Sequence, residues 1–527
     1  MLTKHLLIIA GIFLFSNIYA QKGTELPEEK DIDVKKNAVD INPKFPNTPF
    51  YHIFIRSFAD GNKDQIGDLK GILKQLGHIK NMGAGAIMIS PIHPSPSYHK
   101  YDVVNYREID STCGTKEDLK ELVKQAHRSG LLIILDFVAN HTSREHEWFR
   151  QALNGDTVFR KYYLFSTNPS DWEKEPSAWH YTGKNPGEKY YGHFSKDMPD
   201  LNYSNRSVRK AMIENAKYWI KEYNIDGYRL DAAPKIFPDD QKDSTYAWWK
   251  EFSEALKKEK KDVYLVGEVW DDAKNSEPYL RSGFTACFNF QLWGMIQQAL
   301  NSQDASALVG SLNAMRSSFK TMNKGFVDAT FLSNHDNPRI MNVVGGNINK
   351  AKQAATILFT LPGSPFIYYG DEIGMFGPKP DESIREPFLW DAGGEESPNA
   401  MWQKPTNNQP GTTRSLLDQL NDNNSIYNHY KQLAEIRSQN DGLETGELRP
   451  AIEFTQPGVL AYYRVTKGQK LLVLHNLTEN PLTLFSPKGF VWFGMPYFDP
   501  LAQPVLSKDN IILQPFSSAV INVKNDE

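Results

Sequence analysis

Cysteine is nearly absent from this 527-residue chain, which carries only Cys113 and Cys287. Two such residues make no disulfide framework, no CxxC redox pair and no thiolate zinc site; they read as separate core thiols, with one remote disulfide as the alternative. Excess charge is missing too, since 59 Lys and Arg face 63 Asp and Glu for a formal net of -4. The densest basic stretch, Glu254 to Asp262, alternates in sign as a solvated helix face does, so neither a nucleic-acid nor a membrane-surface partner is expected. No GxGxxG opens a helix after the first candidate strand and there is no GxxxxGK[ST], hence no phosphate cradle. The marked apolar run Leu6 to Phe15 is too short to span a bilayer. With Lys4 and His5 before it and Ala20 after it, this run reads as an export signal over residues 1–20, which puts the mature protein in a periplasmic or extracellular space with no integral membrane segment. Residues 21–46 are charged and aperiodic, and read as a flexible leader.

What is present is alternation. Eight short apolar runs (51–55, 86–90, 131–138, 225–232, 263–270, 284–290, 327–336 and 364–372) are separated by stretches whose apolar residues recur at three and four, such as KEDLKELVKQAHRSG and NRSVRKAMIENAKYWIKEY. Strand and helix in alternation imply a parallel sheet, and eight units favour a closed (β/α)8 TIM barrel over an open doubly wound sheet. One connection is abnormally long, about 65 residues after Val138, and rich in aromatics that form a small core of their own or stack on sugar rings. From Leu443 onward short runs with turn signals between them read as an antiparallel β-sandwich.

In such a barrel, chemistry belongs at the C-terminal ends of the strands. Strand four ends in Arg229-Leu230-Asp231, strand five in Glu268, and strand seven in Asn334-His335-Asp336. Any one acid there is as easily a structural cap; three on three strands point at one mouth. Arg229 and Asp231 are two apart, so on a strand they share a face and the guanidinium is expected to keep the Asp ionised. An ionised Asp near a protonated Glu is the pair that a retaining glycosidase uses. The rival use, a divalent-metal hydrolase, lacks the HxH or HExxH spacing it would need.

The segments DFVANH (136–141), GYRLDAAPK (227–235), GEVW (267–270) and FLSNHD (331–336) resemble, in order and spacing, the sequence regions of the α-amylase family, glycoside hydrolase family 13. The resemblance runs from about Phe50 to the C-terminus. It implies a barrel formed by residues 47–141 and 205–440, an inserted domain B at 142–204 and a C-terminal β-sandwich at 441–527. It also implies a nucleophile at Asp231, a general acid/base at Glu268 and a transition-state-stabilising carboxylate at Asp336. Sugar-contacting roles fall on His141, Arg229 and His335, on Tyr101 and Asp102 of SYHKYD, and on Arg385, four residues after Asp381. Lys100 stands where the family usually has glycine. MPDLN (198–202) resembles the subgroup intermediate between oligo-1,6-glucosidase and neopullulanase, and Ala232 is similar to members that cut α-1,4 links. The expected substrate is an α-glucan or maltooligosaccharide, with a cyclomaltodextrinase, neopullulanase or α-glucosidase as near alternatives and a non-catalytic carbohydrate-binding protein as a remote one. Pairing of Asp102 with Arg385 would close the glycone side and favour attack at chain ends.

The segment DGNKDQIGD sets Asp60, Asn62, Asp64 and Asp68, with the carbonyl of Ile66, at positions 1, 3, 5, 9 and 7 of an EF-type loop, which suits Ca2+. Gln65 replaces the usual glycine at position 6 and Gly71 the closing glutamate, so a solvated acidic turn is the other reading. The resemblance implies a structural Ca2+ here. The family's other calcium site would use Asn140 and Asp200, and with Ala-Pro-Lys at 233–235 it is not expected.

Overall fold

The computed structural model describes residues 45–488, 490, 492–498, 504–507 and 509–524. The expected export signal, and the leader apart from Phe45 and Pro46, lie outside these residues. All eight expected barrel strands are present: β1 (Phe50–Ile53), β2 (Ala86–Ile89), β3 (Leu132–Val138), β4 (Gly227–Asp231), β5 (Tyr264–Gly267), β6 (Ala286–Cys287), β7 (Ala329–Phe331) and β8 (Ser364–Tyr368). They pair in parallel in the order β7-β8-β1-β2-β3-β4-β5-β6. A parallel bridge from Phe288 to Ala329 joins the two ends of that row, so the sheet closes on itself as a (β/α)8 barrel. Every residue of β3 is buried, as expected of a strand covered on both faces.

The helices start and stop where local chemistry tells them to. Thr115 and Asp118 form a capping box ahead of the helix Lys116–Arg128. Asn205 caps the helix Arg206–Tyr223, which ends on Asn224 in the left-handed region at φ 54°. The stretch 69–82, whose periodicity predicts one helix, is two: Leu69–Lys74 and Leu76–Asn81, with Gln75 at φ -103° and ψ 13° between them. Gly71 and Gly77 weaken helical continuity. Gly71 also lets the first turn press on the Ala59 carbonyl, where a Cβ would approach to 1.8 Å.

Between β3 and the helix Arg206–Tyr223 the chain builds a small antiparallel sheet from strands Phe165–Ser166, Lys189–Tyr191 and Trp179–Tyr181, in that order. Phe149 packs edge-on against Tyr163 and Tyr190 beside it, so much of the aromatic content here is core. The C-terminal part is a sandwich. A five-stranded sheet is ordered 447–450, 459–465, 470–476, 518–523, 492–498, and a three-stranded one 482–485, 510–513, 505–506. The barrel-facing side of the larger sheet, with Leu460, Tyr462, Leu471 and Val473, belongs to the same apolar cluster as the barrel. Cys113 and Cys287 are both buried free thiols, which settles the alternatives in favour of separate core residues; burial pushes the Cys113 thiol up to about 12.

Candidate active site

Strand register assembles the site. Asp136 on β3 lies beside Arg229 on β4, and Val138 beside Asp231, so Asp136, Arg229 and Asp231 share the barrel's interior face. Arg229 Nη1 donates to Asp231 Oδ1 at 2.6 Å and to Asp136 Oδ1 at 2.9 Å, while its Nη2 pairs with Glu268 Oε1 at 2.7 Å. One buried guanidinium thus serves three carboxylates. The Ala232 N–H, in the left-handed region at φ 44°, donates to Glu268 Oε2 at 3.0 Å and fixes that carboxyl from the other side.

The expected effect of Arg229 on Asp231 is present but outweighed. Burial pushes the Asp231 carboxyl well above the usual carboxylate range; Arg229 opposes this, and Glu268 and Asp136 reinforce it. The direction for Asp231 is thus set by burial and by the two carboxyl groups that share its guanidinium. Asp336 behaves in the opposite way. Burial alone would raise it, but His335 Nε2 at 3.0 Å and Arg385 Nη2 at 2.7 Å hold it far below the usual range. The site thus holds Asp336 charged across from an Asp231 carboxyl whose ionised form burial disfavours.

Tyr101 forms the adjoining wall. Its hydroxyl donates to Asp136 Oδ2 at 2.8 Å and meets His335 Nε2 at 2.6 Å, and its ring stacks on His335 with centroids 5.4 Å apart. His141 is buried with Nε2 lacking a protein partner, and burial pushes it down to about 3, so it meets a ligand as a neutral imidazole. Its ring contacts Phe194, which contacts Trp270. Phe194 and Trp270 are 42% and 43% exposed, a high value for such side chains beside a buried site.

The pairing that would close the glycone side does not form. Arg385 is engaged by Asp336, by Asp381 at 3.0 Å and by the Tyr98 hydroxyl at 2.9 Å, whereas Asp102 accepts hydrogen bonds from Ser95 and Ser97. The Tyr101–Asp102 loop turns the Asp carboxylate back onto its own serines, so it does not reach Arg385. In its place Tyr98 stacks on Trp402, centroids 5.1 Å apart at 19°, which puts an aromatic pair beside Arg385. Sequence reasoning also passed over Asp136. It stood inside a quoted motif, and its place two residues before the end of β3, facing Arg229, was the available signal.

The loop 60–68 fits a hard cation by its donor set. Its donors are all oxygen, and Asp68 is 1% exposed with Oδ2 lacking any protein partner. Burial, with Asp60 and Asp64 adding, pushes Asp68 up to about 6, a sign of negative charge short of a counter-ion. Asp60 accepts N–H bonds from Asn62, Lys63 and Gln65, and Asp64 from Ile66. Among the described residues no group of three or more His, Cys, Asp or Glu stands close enough to share an ion as placed. Asp200 of the other expected non-site is buried, and burial pushes it up to about 8; one of its oxygens is taken by the His193 N–H at 3.0 Å.

Comparison with known proteins agrees with this geometry. The family described as Alpha amylase, catalytic domain matches residues 52–446, and the Alpha-amylase SusG C-terminal domain matches 459–520. Alpha-amylase 3 of Dictyoglomus thermophilum is 41% identical over 482 residues, covering 91% of this chain and 94% of that protein. A 4-alpha-glucanotransferase of Thermotoga neapolitana is 32% identical over 445 residues, covering 82% and 96%. The crystal structure of an alpha-amylase from H. orenii superposes with a TM-score of 0.82 at 36% identity, covering 90% of this chain and 99% of that one.

Proposed function

We propose that this chain, which belongs to the alpha-amylase family and is an enzyme acting on α-glucans, hydrolyses internal α-1,4-glucosidic bonds of starch-derived chains with retention of configuration. The observation that carries the reading is the single guanidinium of Arg229 bonded to both Asp231 and Glu268. Sharing it keeps the two carboxyl groups at the close quarters of a retaining pair. Asp231 attacks the anomeric carbon while Glu268 protonates the glycosidic oxygen, and the bond between them breaks to leave a glycosyl ester on Asp231. Glu268, now ionised, takes a proton from water, whose oxygen attacks the same carbon and frees Asp231. Asp336, held charged by His335 and Arg385, offsets the positive charge that develops on the sugar ring in both steps. Internal attack is supported by the missing Asp102–Arg385 contact, since Arg385 bonds Tyr98 and Asp102 bonds its own serines.

Transfer to a sugar acceptor is the second reading, and Phe194 and Trp270 favour it. Their exposed rings flank the acid/base and offer an acceptor sugar an apolar face that water does not need. Export through residues 1–20 supports action outside the cytoplasm, and N-terminal sequencing of secreted protein checks it. A Ca2+ ion held by Asp60, Asn62, Asp64, Ile66 and Asp68 would neutralise the loop and brace the barrel, with no part in the chemistry.

The test is a time course of product sizes from soluble starch, pullulan and β-cyclodextrin, beside an Asp231→Asn control. Rapid shortening of starch to mixed maltooligosaccharides is the expected result. Glucose alone, or preferred ring opening, would replace the internal α-1,4 reading with an α-glucosidase or a cyclomaltodextrinase. Products that lengthen when maltose is added would identify the transferase.

A further inference from the structure

Lys100 is buried, adopts φ 65°, and carries a side chain that a left-handed position does not favour. A glycine would sit there without strain, so something compensates. The Lys100 ammonium reaches Asp110 Oδ2 at 2.8 Å, an ion pair whose side chains are 6% and 13% exposed. Asp110 is itself fixed by the Thr112 N–H at 3.0 Å and the Thr112 hydroxyl at 2.6 Å, and its backbone N–H bonds to the Ile92 carbonyl at 2.8 Å just beyond β2. On the other side of the loop, Asp102 is latched by Ser95 and Ser97, and the Lys100 N–H donates to Ser97 Oγ at 3.2 Å. Tyr101 lies between these two anchors, with its hydroxyl in the Asp136–Arg229–His335 cluster.

We infer that Lys100 is a positioning residue whose buried ion pair with Asp110 sets the height and tilt of the Tyr101 ring at the reacting sugar. The inference rests on the reading that Tyr101 contacts that sugar. A ring held rigidly by its backbone contributes most when the sugar flattens toward the transition state, so the effect belongs mainly in kcat. Glycine at 100 removes the backbone strain together with the anchor, so relief of strain offsets part of the lost ion pair while the ring is left less restrained.

The experiment is a double-mutant cycle on a maltooligosaccharide of fixed length, using Lys100→Gly, Lys100→Arg, Tyr101→Ala and the Gly/Ala double variant, each with a thermal melt. Lys100→Gly is expected to lower kcat about tenfold with KM changed less than twofold and Tm within a few degrees. Lys100→Arg keeps the ion pair and is expected to recover most of that loss, and Lys100→Gly is expected to cost nothing further in the Tyr101→Ala background. Lys100→Asn, which tolerates a left-handed backbone and lacks the ammonium, repeats the test should the glycine variant fold poorly. Full activity of the glycine and asparagine variants, or an equal loss with and without the Tyr101 ring, overturns the inference. Full activity of Tyr101→Ala by itself overturns the reading of Tyr101 instead.

Discussion

Asp136 touches the chemistry only through others. It shares Arg229 with Asp231 and Glu268 and receives the Tyr101 hydroxyl, so its carboxyl group competes with Asp231 for the same guanidinium. Replacing Asp136 by Asn releases the guanidinium toward Asp231. Because Asp136 is one of the groups that raise Asp231, the Asp231 carboxyl should ionise at lower pH in that variant. The acid limb of the kcat/KM profile is expected to move down by about one unit, with kcat lower because Tyr101 loses an acceptor. An unmoved limb would show that Asp231 ionises independently of Asp136. Glu268→Gln, by contrast, is expected to cost on the order of 10²- to 10⁴-fold in kcat with the fold intact, read from initial rates and a melting curve. At this scale much of the site was legible: Asp231, Glu268 and Asp336 lie where three strands end in acids. What the sequence could not reveal was which groups compete. Two residues of spacing put Arg229 and Asp231 on one face, but the weight of burial against one shared guanidinium depends on Asp136 across the register. The partner of Arg385 depends on a loop path that no spacing encodes.

Elements meet through a few polar rivets as well as through apolar faces. Asp226, just ahead of β4 at the N-terminal end of the barrel, accepts the Ile133 N–H of β3 at 2.8 Å and pairs with His127 at 2.7 Å and with Lys260. His127 is in the last turn of the helix Lys116–Arg128, and Lys260 caps the helix Lys242–Glu259. Burial alone would raise the Asp226 carboxyl, but His127 and Lys260 hold it below its usual value. A carboxyl depressed in the folded state stabilises the fold above its unfolded value, and that contribution is lost as pH falls through the folded one. Asp226→Asn is therefore expected to lower stability by roughly 3 kcal/mol at pH 7, with the gap to the parent closing only below about pH 4. Urea melts across that range check it; a gap that stays constant into acid would remove the ion network from the account. The elements themselves were the most legible part of the chain, since strands covered on both faces are unbroken apolar runs. The division of 69–82 into two short helices was not, because it turns on the backbone of the single residue Gln75, which an unbroken apolar period does not mark.

Across the whole molecule, barrel and sandwich share one apolar cluster, and the joint is also tied by a buried arginine. Arg464 of the sandwich donates to the Thr360 carbonyl of the barrel and to that of Gly446, while on the barrel side Arg437 fixes the carbonyls of Phe359, Leu361 and Gly363. A chain ended at Gly446 would expose the barrel surface that Tyr462, Leu471 and Val473 cover. It is expected to aggregate rather than leave an active barrel, as size-exclusion chromatography and circular dichroism would show. The proposed Ca2+ site is tested at this scale too: with Ca2+ in the loop at 60–68, a chelator is expected to lower Tm by a few degrees, and Asp68→Asn to abolish that dependence. A Tm indifferent to chelator would remove the ion from the loop. The closure of the barrel has a last consequence. Between the two-residue β6 and the three-residue β7 the backbone ladder is short: the Phe288–Ala329 bridge, with the Val327 N–H on Thr285 and the Asn289 N–H on Ala329, closes the ring. Asp231 and Glu268 lie on one side of that seam and Asp336 on the other. Breathing there on warming would part the first two carboxyl groups from the third while most of the amide protons elsewhere stay protected. Catalysis would then fail as a zip that opens, well before the molecule melts.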